Sequence, residues 1–268
     1  MLELIQITND PAFAQRCDAL GGFRLFVDLE RLGKAERQAG RNTFISAHQV
    51  EDIARVKQVL RHSRLMVRVN PLNPQSREEV DAVLEQGADC VMLPMFSRAQ
   101  EMREFAALVV GRAPIVALVE TAGAAQTVQE WAGTPGLQEI YVGLNDLHLS
   151  LGRRFMFEPL ADGTVERVAQ VAHAHGVKFG FGGIARLDEG LLPGRDVLGE
   201  HLRLGSGAVI LSRTFHREDA GTVFEDEVAL LREAEAQLQQ RSPGQVQDDA
   251  RRVAATIRRI AAGVPARA

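Results

Sequence analysis

Cysteine is scarce. The 268 residues contain two, Cys17 and Cys90, in no spacing that suits metal ligation, which excludes a disulfide scaffold and points to reduced thiols. No basic run is interleaved with aromatics, and with 5% aromatic residues and a formal net charge of −4 nucleic-acid binding has no footing. No apolar stretch approaches the ~18 residues of a membrane span, and no signal-peptide pattern opens the chain. The expectation is therefore a cytoplasmic protein, neither exported nor membrane-spanning. What remains is ordinary globular composition, 46% hydrophobic and 25% charged. The length suits two small domains or one barrel of about 250 residues.

Strand-length apolar runs recur along the chain: Leu2–Ile7, Arg24–Glu30, Leu65–Asn70, Cys90–Pro94, Ile115–Glu120, Glu139–Leu144, Lys178–Gly182 and Gly207–Ser212. Most are continuous rather than alternating, as in parallel strands buried on both faces. Helix-like segments fill the intervals: Pro11–Leu20, Val50–Leu60, Arg77–Gln86, Ala99–Val110, Ala122–Trp131 and Thr164–His175. Four successive runs start near 65, 90, 115 and 139, in steps of 25, 25 and 24. Strands alternating with helices at this pitch predict a (β/α)8 TIM barrel over 1–217, with a doubly wound sheet as the alternative. Asn42–Ser46 is read as loop. Residues 218–268 form a helical extension with apolar stripes along Gly221–Arg241 and Val246–Ile260. Such stripes need cover from the barrel or a neighbouring subunit, so a homo-oligomer is expected.

In such a barrel, chemistry sits at the C-terminal strand ends. Ile115–Glu120 and Tyr141–Asp146 each run from buried-type residues into a carboxylate, with Asp146 26 positions after Glu120. On neighbouring parallel strands ~4.8 Å apart the two acids emerge side by side, and a divalent cation would relieve their repulsion. The remaining ends carry Asp28 and Glu30, Arg68 and Asn70, Pro94-Met95, Asn145, Gly182-Gly183 and Ser212-Arg213. Asp28 and Glu30 share one side of a strand, so one could hold Arg68 while the other acts elsewhere. Glycines such as Gly143 allow close backbone approach to a ligand. Phe179-Gly-Phe-Gly-Gly183 lacks dinucleotide spacing and reads as such a surface.

Asp28-Leu29-Glu30, Arg68-Val69-Asn70, Gly87-Ala88-Asp89 with Leu93-Pro94-Met95, Glu120-Thr121-Ala122 and Gly143-Leu144-Asn145-Asp146-Leu147 stand in a familiar order. Over roughly residues 2–215 the chain resembles the HpcH/HpaI aldolase and citrate-lyase β-subunit family. The resemblance implies a (β/α)8 enzyme that makes or breaks carbon–carbon bonds beside an enolate. It further implies that Glu120 and Asp146 hold Mg2+ or Mn2+ and that Arg68 contacts a substrate carboxylate or enolate oxygen. Asp28, Asn70, Gly143 and Asn145 are the other substrate-contact candidates. Two branch signatures are mixed: Arg31 stands where the aldolase branch has histidine, and Met95 where the lyase branch has lysine. His48 and His148 are candidates to replace that histidine as general base, since imidazole titrates near neutral pH. Glu30 is the remaining catalytic candidate.

The leading expectation is a divalent-metal-dependent carbon–carbon lyase acting on a 2-keto acid through a pyruvate-type enolate. An acyl-CoA lyase or citrate-forming condensing enzyme is the second reading. A non-catalytic metabolite-binding barrel is the third, supported by the absent family histidine.

Overall fold

The computed structural model describes residues 1–33, 47–217 and 223–264. Eight strands pair parallel in chain order: β1 (Glu3–Ile7), β2 (Phe23–Asp28), β3 (Arg64–Arg68), β4 (Cys90–Leu93), β5 (Ile115–Val119), β6 (Leu137–Val142), β7 (Lys178–Ile184) and β8 (Ala208–Leu211). β8 returns to β1, closing the expected barrel. The continuous apolar runs are explained by this closure, because every strand is covered by the lumen on one face and by helices on the other.

Alternation along each strand sorts the two cores. Ile5, Phe26, Met66, Met92, Val116, Leu118, Tyr141 and Ala208 fill the lumen. Their neighbours Leu4, Leu25, Val27, Leu65, Val67, Val91, Ala117 and Ile140 pack against the helices. The helices are α1 (Pro11–Leu20), α2 (Val50–Lys57), α3 (Ser76–Glu85), α4 (Ala99–Val109), α5 (Ala122–Gln126), α6 (Val128–Trp131), α7 (Leu144–Ser150), α8 (Glu158–Ala161), α9 (Thr164–Ala174), α10 (Gly194–Arg203), α11 (Phe224–Leu238) and α12 (Pro243–Gly263). Local chemistry starts several of them. Asp10 accepts from Ala12 N ahead of Pro11, and Ser242 and Gln245 form a reciprocal cap at α12.

Three elements depart from expectation. Ala122–Trp131 is two short helices, α5 and α6. The run through Leu144 stops at Val142, and Leu144 opens α7, so Asp146 lies in a helix's first turn rather than at a strand end. Gly194–Arg203, absent from the expected helical segments, is α10. Asn42–Ser46 lies outside the described residues.

The C-terminal helices pack on the chain itself: α11 on α10, and α12 on α8 and α10. Phe224 places its ring 4.9 Å from that of Phe13 and 6.1 Å from that of Phe23. Val228, Leu231, Val253 and Ile257 are buried. The stripes that pointed to a neighbouring subunit are thus covered within the chain, which removes that argument for an oligomer. Among the described residues no helix is long and apolar enough to cross a membrane.

Candidate active site

Two residues above the lumen core, alternation brings Asp28, Arg68, Glu120 and Gly143 onto the inner face at the C-terminal rim. Asp28 and Arg68 are direct register partners on β2 and β3. The Asp28 carboxylate accepts Arg68 Nε and Nη2, each at 2.9 Å, a bidentate fork. Arg68 Nη1 faces Glu30 Oε2 at 3.3 Å and Glu120 Oε1 at 3.6 Å. Below, the guanidinium carbon lies 5.7 Å from the centre of the Phe26 ring. Burial disfavours the guanidinium charge, but the three carboxylates outweigh it and raise the Arg68 pKa. Three buried acids therefore gather round this guanidinium, and it is Asp28 that grips it.

Gly143 continues the β5–β6 pairing one step past the strands, its N–H donating to Val119 O at 3.0 Å. A Cβ at Gly143 would lie 2.6 Å from Glu120 Cγ. Glycine here is what gives the Glu120 side chain its place. Asp146 follows, half-buried in the first turn of α7, and Asn145 beside it is also half-buried. Met95 closes the β4 side with a left-handed φ of 58°, a strained conformation for a residue with a side chain.

The two histidines present different nitrogens. His48 Nδ1 accepts the backbone N–H of Asp28 at 3.1 Å, so in the neutral ring Nε2 carries the proton. That geometry makes His48 a hydrogen-bond donor tied to the residue that grips Arg68, and argues against the general-base role expected for it. His148 Nδ1 lies 3.1 Å from Leu144 O and, facing a carbonyl, carries its proton there. Its ring is buried with Leu144 and Leu147 on the α7 face turned from Asp146. Asn70 shapes the rim: its Oδ1 accepts from Arg31 N at 2.8 Å and Leu32 N at 2.9 Å.

Other residues move away from the mouth. His201 sits on α10, fully buried, stacked 3.8 Å over Phe181 outside the lumen. Burial pushes its pKa down to about 3. Arg186 is buried, donating to Arg217 O at 2.6 Å and facing Glu227 at 3.7 Å. Phe155 and Phe157 are buried against each other. Sequence reasoning missed Tyr141, whose hydroxyl ties three strands beneath the site; its lumen position follows from the alternation that also places Gly143.

A family model for HpcH/HpaI aldolase/citrate lyase matches residues 8–181. The chain belongs to that family. Its fold agrees with an HpcH/HpaI aldolase from Desulfitobacterium hafniense at a TM-score of 0.59 and 16% identity, covering 90% of this chain and 94% of that one. Against a citrate lyase β subunit from M. tuberculosis, complexed with oxaloacetate and magnesium, the TM-score is 0.60 at 19% identity, over 87% and 96% of the two chains. At those identities the likeness shows fold alone. In sequence, this HpcH/HpaI family member is 36% identical to (3S)-malyl-CoA thioesterases of Cereibacter sphaeroides over 101 residues, 37% of this chain and 35% of theirs. The match spans about a third of the length of those curated relatives.

Proposed function

We propose that the chain is a carbon–carbon lyase that handles the enolate of a 2-keto acid at the barrel mouth, with Mg2+ or Mn2+ as cofactor. The observation that carries this reading is the cluster of acids at the rim, where Asp28, Glu30 and Glu120 converge on Arg68. Asp146 stands on the adjoining α7.

The residues fit a hard divalent cation. Among the described residues no three His, Cys, Asp or Glu side chains form a complete metal cage. Mg2+ does not require one: it takes one or two carboxylates and fills the rest with water and substrate oxygens. Glu120 and Asp146 would hold it, and the space left by the missing Cβ at Gly143 lets Glu120 take its position. When bound, the ion supplies a Lewis acid for the substrate's keto and carboxylate oxygens.

The protein's own groups supply the rest. Arg68 Nη1 is the guanidinium nitrogen left outside the Asp28 fork, and it donates to the substrate's carboxylate or enolate oxygen. Asp28 fixes the plane of that guanidinium. Glu30 meets Arg68 Nη1 at 3.3 Å, which puts a carboxylate beside the substrate oxygens, where a water can deliver or remove the proton. His48 holds the Asp28 backbone through Nδ1. Gly143 and Asn145 line the approach to the oxygens, while Asn70 keeps the Arg31–Leu32 turn in place.

With Mg2+ or Mn2+ supplied, the protein should exchange pyruvate methyl protons for solvent deuterium, followed by NMR, and Glu120→Gln should abolish exchange. Wild-type inactivity across pyruvate, oxaloacetate and simple 2-keto acids would sink the reading and leave a non-catalytic barrel. The thioesterase relatives favour a second reading, a thioester substrate. Acetyl-CoA binding by calorimetry separates it from the first.

A further inference from the structure

The glycine-rich β7 is used by no step above, and the residue packed against it is a buried phenol among the apolar side chains of the lumen. Tyr141 lies on β6 beneath Gly143 and is 1% exposed. Its ring lies over Gly180, where a Cβ would come within 2.7 Å of the ring carbons. Its hydroxyl accepts Ile210 N at 2.9 Å and, with its one proton, donates to Gly182 O at 2.5 Å, the nearer of two carbonyls. The other, Phe181 O, is at 3.2 Å. Burial pushes the phenol pKa up, so the hydroxyl keeps its proton.

This contact sits where the ladder breaks. β7 and β8 shift register between Gly180 and Gly183, the mark of a bulge. Gly182, inside the shift, has a φ of +54°, open to glycine. The Tyr141 oxygen takes an N–H from one strand and gives a proton to the other, bridging the displaced groups. Gly182 also abuts the next element: a Cβ there would lie 2.9 Å from Leu144 Cδ1. Leu144 is the first residue of α7, two positions before Asp146.

We propose that the Tyr141 hydroxyl is a positioning residue for the cation site, pinning the bulged end of β7 so that Leu144 seats and the first turn of α7 presents Asp146. The proposal rests on the reading that Asp146 is a metal ligand, and its structural half can be measured apart from that reading. Both glycines serve this contact. Gly180 makes room for the ring, and Gly182 forms the bulge.

The test is Tyr141→Phe beside Ile257→Ala, a variant that destabilises α12 far from the rim. Amide hydrogen exchange across Leu144–Ser150 should accelerate at least about tenfold in Tyr141→Phe and not in Ile257→Ala. Mn2+ affinity, read by electron paramagnetic resonance well below either melting temperature, should fall about tenfold in Tyr141→Phe only. Gly182→Ala should act in the same direction. Unchanged exchange in α7 overturns the proposal, as does faster exchange everywhere with no excess at α7. If wild type binds no Mn2+ while α7 exchange still responds, the metal reading fails and the Tyr141–α7 coupling stands alone.

Discussion

The two ends of the barrel solve the problem of buried charge in opposite ways. At the N-terminal end, Arg24 and Lys178 meet Glu3 and Glu139. Arg24 pairs with Glu3 and with Glu139 at 2.7 Å, and Lys178 reaches Glu3 at 2.6 Å. Two cations answer two anions, so the charges of the plug balance within it. At the C-terminal end, among the described residues, three carboxylates gather round the Arg68 guanidinium. Desolvated charge is costly unless balanced, so an end balanced internally is built for stability. Under the proposed function, the C-terminal end is the one whose acids would receive a cation.

Removing Arg68 from the rim tests this contrast most severely. Arg68→Met should lower any enolisation rate by at least about a thousandfold, and cost about 3–5 kcal/mol because buried acids lose their partner. Mn2+ should then raise the melting temperature of this variant more than that of wild type. An equal shift in both would mean that the rim acids do not attract cations. Arg24→Met should cost a similar ~3–5 kcal/mol in chemical denaturation, yet leave Mn2+ affinity within about twofold. A matching loss of metal affinity would erase the distinction between the ends.

The smallest effect is in pH dependence. Burial raises the Glu3 pKa, but pairing with Arg24 and Lys178 outweighs it and leaves it below 4.5. A carboxylate lowered on folding adds stability above its unfolded value and loses that stability as pH falls through its folded value. Glu3→Gln should therefore show a flatter urea midpoint than wild type below about pH 4.5. Parallel curves would show that the plug contributes nothing through this titration.

Much of the fold was legible because a closed parallel barrel demands runs that are apolar on both faces, and few other folds do. The site was legible to the same degree as its strands. Asp28, Arg68 and Glu120 lie at even spacing above Phe26, Met66 and Leu118, and alternation carries them to one rim. Where a residue leaves the strand, that logic stops. Leu144, Leu147 and His148 have helical spacing, yet Leu144 follows Val142 with only Gly143 between them, so the strand is read as running on to Leu144. Pro193, Gly194 and Gly199 are weak helix formers, and α10 is absent from the expected helices. The tautomers of His48 and His148 depend on a backbone N–H and a carbonyl, which no side-chain pattern reveals. The cover over the C-terminal stripes was undecidable in one dimension, because an apolar helix face is the same whether its own barrel or another molecule lies on it.

Phe26 beneath Arg68, together with Met92, Leu118 and Tyr141, stops the lumen like a cork. Among the described residues, Arg68 is therefore closed off from below. Under the proposed function, substrate and product would share that rim, and the order of entry would constrain the order of exit.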